Sequence, residues 1–475
     1  MTDVLVIGAG PTGLTLALDL ARRGVAVRIV DAAPGPSQAS RGKGIQPRTQ
    51  EVFDDLGVID TILKTARPYP PMRAYRGDTV VWEGNLGSPR AAGPDVPYPG
   101  IVMLPQQLTE QALRDRLAQE NVRVEYGTPV TDLTQDDNGV TAAGIHARYA
   151  VGADGGRSTV RKTLGIPFLG ETFATERMAL ADVRFPDGLL DRDHWHIWGD
   201  LSTQELKLGL CPLPGTDVFQ LTAPLAPDEE PEDLQRFVTE RSGRDDLVIT
   251  DIPWHSLYRV NIRLAAHYRK GRVFLAGDAA HAHSPAGGQG LNTGVQDAYN
   301  LGWKLAAVLA GAPEDLLDTY EAERQPVAAD VLGLSTLLLR GSQEAPQRGR
   351  DTDQLDISYR DSVLSRDTRR TPGPLHAGDR APDAPLPHGT LFERFRGPHP
   401  TVLTFRPATP LIDDIQVTTD STGAYGSYGI DPLTGGYVVV RPDGYVGLLA
   451  DADGADAVRE YLRTGVDGSQ YGAVP

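Results

Sequence analysis

The sequence predicts an α/β chain, α+β overall: a dinucleotide-binding unit, a mostly antiparallel middle unit and a smaller mixed unit at the C-terminus. Three observations predict it. The apolar run Val4-Leu5-Val6-Ile7 passes directly into Gly8-Ala9-Gly10-Pro11-Thr12-Gly13 and a helix former. A second apolar run, Arg272-Val273-Phe274-Leu275-Ala276, ends in Gly277-Asp278 and leads to a long helix. Between them, from Phe173 to Asn261, the chain breaks into short alternating segments of the kind that form antiparallel sheets.

In the first unit each part has a physical task. Gly8 permits the tight turn, Gly10 lets backbone approach a pyrophosphate, and Gly13 lets the helix pack close to its strand. The free N–H groups at the helix start, together with the helix dipole, favour phosphate there. Val25 to Val30 is a second strand. It ends in Asp31, placed to accept from a ribose hydroxyl at close to the usual spacing of about 20 residues. Arg41 to Thr49 leads into a helix through Leu56, Met72 to Trp82 reads as strand, and Pro89 to Pro99 as a proline-rich loop. A helix is predicted over Gln111 to Ala118, and strands over Val122 to Val124 and His146 to Val151, the latter ending in Gly152-Ala153-Asp154-Gly155. In the middle unit, strands are predicted over Met178 to Phe185, His194 to Trp198, Glu205 to Cys211 and Val218 to Thr222, with a helix from Pro231 to Arg241. Leu291 to Leu309 and Leu316 to Leu332 read as helices. Residues 343–374, rich in charge, Gly and Pro, read as a linker. Beyond it come a strand, Thr401 to Phe405, a hairpin through Pro442-Asp443-Gly444, and a closing helix from Ala455 to Leu462. The division expected is 1–70, 100–172 and 266–342 for the dinucleotide unit, 71–99 and 173–265 for the middle unit, and 375–475 for the third.

Composition narrows the function. A formal net charge of −17 argues against nucleic acid or an anionic membrane as partner. No apolar run approaches the roughly 18 residues of a membrane span, and the N-terminus has no signal-peptide pattern. The single cysteine, Cys211, can form neither an internal disulfide nor, alone, a thiolate metal site. A cytoplasmic location fits this usage.

Gly8-x-Gly10-x-x-Gly13, Asp154-Gly155 and Gly277-Asp278 stand in the order and spacing of the flavoprotein aromatic hydroxylases. The chain resembles these single-component FAD monooxygenases. The Gly277-Asp278-Ala279-Ala280-His281 and Gly287-Gly288-Gln289-Gly290-Leu291-Asn292 stretches, with Pro105-Gln106-x-x-Thr109-Glu110, look like the phenol hydroxylase and actinobacterial polyketide hydroxylase branch. The resemblance implies a Rossmann-like FAD-binding domain, an antiparallel substrate domain and a thioredoxin-like C-terminal domain. The last lacks a C-x-x-C pair, so it cannot exchange disulfides, and its removal is expected to leave bound flavin unchanged. FAD would be held non-covalently by Gly8, Gly10 and Gly13 at the pyrophosphate, Asp31 at the adenosine ribose, and Arg41 and Gln106 near the ribityl and phosphate region. Asp154 would serve the motif shared with the nicotinamide cofactor. Asp278 would hold the ribityl chain, and Pro285, Gly290, Leu291 and Asn292 would line the flavin ring. Where most members carry Glu, this chain has the shorter Asp31. NADPH or NADH and O2 are the implied co-substrates, with hydroxylation through a flavin hydroperoxide. A homodimer is compatible with the branch.

For the substrate, the resemblance points to a polycyclic polyketide or phenolic aromatic ring. Baeyer–Villiger or antibiotic-inactivating chemistry on the same fold, and a non-catalytic FAD-fold binding protein, are the alternatives. A flavin halogenase is disfavoured because Trp195-His196-Ile197-Trp198 lacks the halogenase tryptophan pattern. Alternation sets His194, His196 and Trp198 on one face of their strand and Trp195 on the other; which face meets the flavin is open. No metal site is expected. Cys211 reads as a buried small apolar residue. Candidate substrate-lining residues are Trp195, His196, Cys211, Ala286 and Gly287. His196 and His283 are candidate proton-transfer residues, with no side chain an obligatory nucleophile.

Overall fold

The structure is a computed structural model. It describes the whole chain except residues 1, 86–90, 92, 201–204, 228, 231–232, 284–287, 340–351, 412–414, 418–421 and 467–475. Thr2–Ile7 lies inside a sheet whose order is Arg269–Lys270, Val273–Leu275, Ile145–Gly152, Thr2–Ile7, Val27–Val30, Val124–Glu125. All neighbours but the first pair are parallel. A parallel sheet covered on its faces needs continuous apolar strands: Val4, Leu5 and Val6 are fully buried. The helix Pro11–Arg22 packs on Gly290–Leu309 and Gln106–Gln119. Gly8 has φ +108°, and a Cβ on Gly13 would stand 1.9 Å from the Gly8 carbonyl oxygen. The turn therefore closes only with glycine at both positions.

The middle sheet runs His281–Ala282, Asp251–Ala265, Phe168–Arg184, Phe219–Leu225, Glu205–Pro212, Trp195–Asp200, Met72–Arg76, Thr79–Gly84. Its pairs are antiparallel except Trp195–Asp200 with Met72–Arg76. The structure differs from the sequence reading at three places. The expected single strand from Met72 to Trp82 is a hairpin turning at Gly77, φ +61°. Phe168–Arg184 and Asp251–Ala265 form one long paired ribbon that carries the chain across the expected boundary at 172/173. The helix, Leu234–Ser242, starts where the Asp233 carboxylate accepts the N–H groups of Gln235 and Arg236. Phe237 and Val238 on this helix cover one face of the sheet, burying Ala181, Leu208, Leu210 and Leu221.

The C-terminal unit is a five-stranded sheet, Arg366–Asp367, Val446–Asp451, Gly436–Val440, Thr401–Phe405, Ile415–Val417. The described part of the expected linker, 352–374, is packed. Asp353, Gln354, Leu355 and Tyr359 are buried, and Arg366–Asp367 adds an edge strand to this sheet. Its charges misled the reading because they are paired within the fold, as in Arg369 with Asp367 and Arg360 with Asp379. The unit is also joined to the first one through buried charge. Arg441 donates to both oxygens of Glu323 at 2.8 Å and to Asp443 at 2.6 Å. Arg48 donates to the Asp443 carbonyl at 2.6 Å. No helix among the described residues is long and apolar enough to cross a membrane.

Candidate functional site

Three corners follow the carboxyl ends of parallel strands, where open α/β sheets bind ligands. They meet. An ideal Cβ on Gly8 would lie 2.3 Å from the Ala153 carbonyl and 2.9 Å from the Asp154 nitrogen. Thr12, within the Gly-rich turn, touches Gly277 and Gly294 closely enough that a Cβ on either would clash with its Oγ1, at 2.5 and 2.4 Å. The Gly8, Asp154 and Gly277 backbones therefore border one cleft. Nothing lies within 4 Å of the Cβ position of Gly10, which is the free space a pyrophosphate needs.

The carboxylates around this cleft are differently occupied. Asp31 accepts the N–H groups of Ala9 at 2.7 Å and Ala33 at 2.8 Å, which fixes it at the end of its strand. Asp154 Oδ2 accepts from Thr159 and Val160, while Oδ1 is buried with no partner among the described residues. Asp278 faces the cleft; the protein around it raises its pKa, against the opposing charges of His281 and Arg41. Arg41 stands on the cleft's other wall. Next to it the Gly42 N–H donates to Gln106 Oε1 at 3.1 Å, and Leu291 lies 3.3 Å from the Gly42 Cβ position. Asn292 accepts from the Gln46 N–H at 2.9 Å and donates to the Gly44 and Gly288 carbonyls. A Cβ on Gly290 would be 4.0 Å from Asp278 Oδ1. Thus Gly8, Gly10, Gly13, Asp31, Arg41, Gln106, Asp154, Asp278, Gly290, Leu291 and Asn292 lie about one cleft. Pro285, Ala286 and Gly287 lie outside the described residues. The open space at Gly10 and the unsatisfied Asp154 Oδ1 both fit FAD.

The middle sheet forms the opposite wall. Cross-strand pairing puts Leu180 with Thr222 and Ser256, Met178 with Tyr258, and Asp182 with Gln220 and Trp254 on the face away from the Leu234–Ser242 helix. Most of these are half-buried, as expected of an open cleft's lining. His196 requires a correction as a candidate for substrate lining and proton transfer. It is fully buried on the helix-covered face, bonded to the Tyr75 hydroxyl at 2.8 Å and the Asp191 carbonyl at 2.8 Å. Trp195, of opposite parity, lies on the cleft side. Cys211 shares that side but is completely buried, 3.6 Å from Met103 Sδ, and burial raises its thiol pKa. It therefore cannot line a substrate.

His283 is buried in a chain the sequence reading missed. Asp297 bonds His281 Nε2 at 2.5 Å, and His281 Nδ1 bonds His283 Nε2 at 2.6 Å. Asp297 also accepts from Arg324 at 2.8 Å and from the Gly277 N–H at 3.0 Å. Burial opposes the charge on Asp297, but His281 and Arg324 hold its pKa down to about 2. An ionised Asp297 accepts the Nε2–H of His281, and the hydrogen bond between His281 Nδ1 and His283 Nε2 carries the chain on to His283, whose Nδ1 is its far end. That atom is buried without a partner, and burial with the His281 ring beside it holds the His283 pKa well below the usual imidazole value. Tyr258 ties the loop to the sheet, donating to the His283 carbonyl at 2.9 Å. One signal for this chain existed: Asp297 and Lys304 sit in a helix buried on most faces, where an unpaired charge is not tolerated.

A second missed cluster bridges the two walls. Ser40 donates its N–H and hydroxyl to Asp182 at 3.0 and 2.5 Å, Gln220 donates to Ser40 Oγ at 2.6 Å, and Lys43 donates to Gln220 Oε1 at 2.6 Å. The partners are too distant in sequence to leave a local pattern. An open groove of about 600 Å³ lies at the sheet's edge along the Asp318–Leu339 helix. Its Arg269 and His267 are paired with Asp318 and Glu321, and it touches none of the three corners. No cluster among the described residues could hold a metal ion.

Comparison with known proteins agrees with this geometry. An FAD binding domain model matches residues 1–335, and a phenol hydroxylase C-terminal dimerisation domain model matches residues 405–469. A flavin-dependent monooxygenase of Mycobacteroides abscessus is 49% identical, covering 97% of this chain and 99% of the relative. Pentachlorophenol 4-monooxygenase of Sphingobium chlorophenolicum is 33% identical, covering 95% of this chain and 94% of the relative. Among solved structures, aklavinone-11 hydroxylase in a ternary complex with FAD and aklavinone superimposes with a TM-score of 0.83 at 28% identity, over 98% of this chain and 99% of that one.

Proposed function

The chain belongs to the FAD-dependent aromatic monooxygenases, and from that premise we propose that it hydroxylates a phenolic ring, polycyclic or substituted, held between the flavin cleft and the middle sheet. The observation that carries this reading is the half-buried, largely apolar sheet face of Met178, Leu180, Trp254 and Tyr258 set opposite the three corners. Bound FAD supplies the passage of electrons from reduced nicotinamide to O2.

The chain's own residues do the rest. The N–H groups at the start of Pro11–Arg22 and the open space at Gly10 receive the pyrophosphate, and Asp31 and Asp278 receive sugar hydroxyls. Asp154 offers Oδ1 as an acceptor. The sheet face excludes water and orients the ring. His283, its Nδ1 unpartnered at the end of the Asp297–His281 chain, is the candidate proton-transfer residue. The 405–469 match supports a homodimer, and the single buried cysteine suits a reducing cytoplasm. Aklavinone in the structural relative and pentachlorophenol in the sequence relative support both a polycyclic and a simple phenolic substrate.

The test is reduced-nicotinamide consumption under 18O2 against a panel of phenols and polycyclic aromatics. The expected result is one labelled oxygen in a hydroxylated product. Hydrogen peroxide alone across the panel contradicts the reading.

A further inference from the structure

The backbone at Arg41 is strained. Its φ is +20°, short of even the left-handed well at about +50 to +70°. A side-chain-bearing residue stays in such a conformation only where its surroundings over-determine it, and here they do. Ser40 donates its N–H and hydroxyl to Asp182, and its carbonyl accepts the Gln106 N–H at 3.2 Å. Gln220 Nε2 donates to the Arg41 carbonyl at 3.0 Å and to Ser40 Oγ at 2.6 Å. The Gly42 N–H is taken by Gln106, and the Lys43 carbonyl accepts the Leu104 N–H at 2.8 Å.

Two of the groups that hold this turn are cross-strand partners in the middle sheet, Asp182 on Phe168–Arg184 and Gln220 on Phe219–Leu225. Both are buried. Burial pushes the Asp182 carboxyl up, against the two Ser40 donors, so the sheet keeps a carboxylate where an apolar residue would pack at lower cost. Lys43 fixes which way Gln220 points. Its Nζ donates to Oε1 at 2.6 Å, which turns the amide nitrogen toward Ser40 and Arg41. The Arg41 side chain is as free as its backbone is fixed. It is exposed and makes no hydrogen bond or ion pair among the described residues, while its charge reaches Asp278 and Glu110.

We propose that Asp182 and Gln220 are positioning residues for the cofactor: from the middle sheet they hold Ser40 and Arg41 in this turn, so that the Arg41 guanidinium is presented, already oriented, to the anionic groups of FAD. This rests on the reading of the cleft as an FAD site and adds to it two residues of the opposite wall. Orientation gained in folding is not charged against binding. A released turn relaxes, and the apparent affinity falls with the fraction of molecules that still present the arginine.

The test is a double-mutant cycle on FAD affinity, read from free-flavin fluorescence as the FAD-loaded full-length protein is diluted. Arg41→Ala should weaken FAD binding at least about tenfold, the scale of a hydrogen bond to a charged group. Asp182→Ala should weaken it at least about fivefold, the scale of the strain released, and no more than Arg41→Ala does. Asp182→Asn, whose amide still accepts the Ser40 N–H and can donate to its hydroxyl, should stay within about threefold of wild type. Gln220→Glu, of unchanged size, keeps an acceptor for Lys43 but loses both donors, and should match Asp182→Ala; it carries the test if Asp182→Ala does not fold. In the Arg41→Ala background each of these variants should cost less than about twofold more. Wild-type affinity in Arg41→Ala contradicts the cofactor contact of Arg41, and the positioning claim falls with it. A normal Arg41→Ala loss beside unchanged affinity in Asp182→Ala and Gln220→Glu, or losses that persist undiminished without Arg41, overturns the positioning role and leaves the FAD site standing.

Discussion

Arg441 is the test of how the C-terminal unit is held. Its side chain is fully buried, paired with Glu323 and Asp443. Lys304 donates to Glu323 at 2.7 Å, and Trp303 Nε1 and Asn300 Nδ2 donate to Asp443 at 3.1 and 3.2 Å. In Arg441→Ala, Glu323 keeps Lys304, but Asp443 is left buried with only neutral donors. Stranding one buried charge costs about 3–5 kcal/mol. At about 2.1 cal/mol/K per residue, cooperative unfolding of the whole chain has an entropy near 1 kcal/mol/K, so Tm falls by about 3–5 °C. If the C-terminal hundred-odd residues melted alone, their entropy near 0.2 kcal/mol/K would turn the same loss into a separate transition about 15–25 °C lower. Calorimetry of the FAD-loaded variant reads both. The buried network predicts the small shift of a single transition, and flavin release at the same temperature. An unchanged Tm, or flavin retained after the C-terminal unit has melted, would refute the reasoning. The same contacts make removal of the unit a perturbation of the flavin domain, unlike the detachable appendage that its missing cysteines suggest.

Two further outcomes follow from buried groups. Asp297 has its pKa lowered to about 2 from the ordinary carboxylate value of 3.8, so its stabilisation is complete above pH 4 and is lost as pH falls toward 2. That loss is worth about 2 kcal/mol. Urea midpoints across pH 2–5 should fall less steeply in Asp297→Asn than in wild type, and parallel curves would contradict the ionised assignment. Cys211, with no exposed surface, should react with a soluble thiol reagent only after denaturation, giving one equivalent, and prompt reaction of the folded protein would place its sulfur elsewhere.

Legibility in the sequence followed the range of the physics. The Gly8-x-Gly10-x-x-Gly13 turn, Asp31 and Gly277-Asp278 were readable because their geometry is dictated by neighbours in the chain. For Trp195 and His196, alternation gave the correct opposition of faces but not which face is open, because that depends on the Leu234–Ser242 helix packing against the other side. Lys43 and Gln220 are 177 residues apart, and Arg441 and Glu323 are 118 apart. Each reads as an ordinary polar surface residue until the fold buries it. The 352–374 segment misled for the same reason, since charge pairing within the fold cannot be seen in composition.

The most direct measurement is calorimetric titration of FAD into apoprotein, for wild type, Gly10→Val and Asp278→Ala. If the strand-end corners share one cofactor, wild type binds one FAD per chain and each substitution, at opposite ends of the cleft, weakens binding by tenfold or more, the scale of a lost charge-assisted contact. Wild-type affinity in both variants would contradict a common cleft.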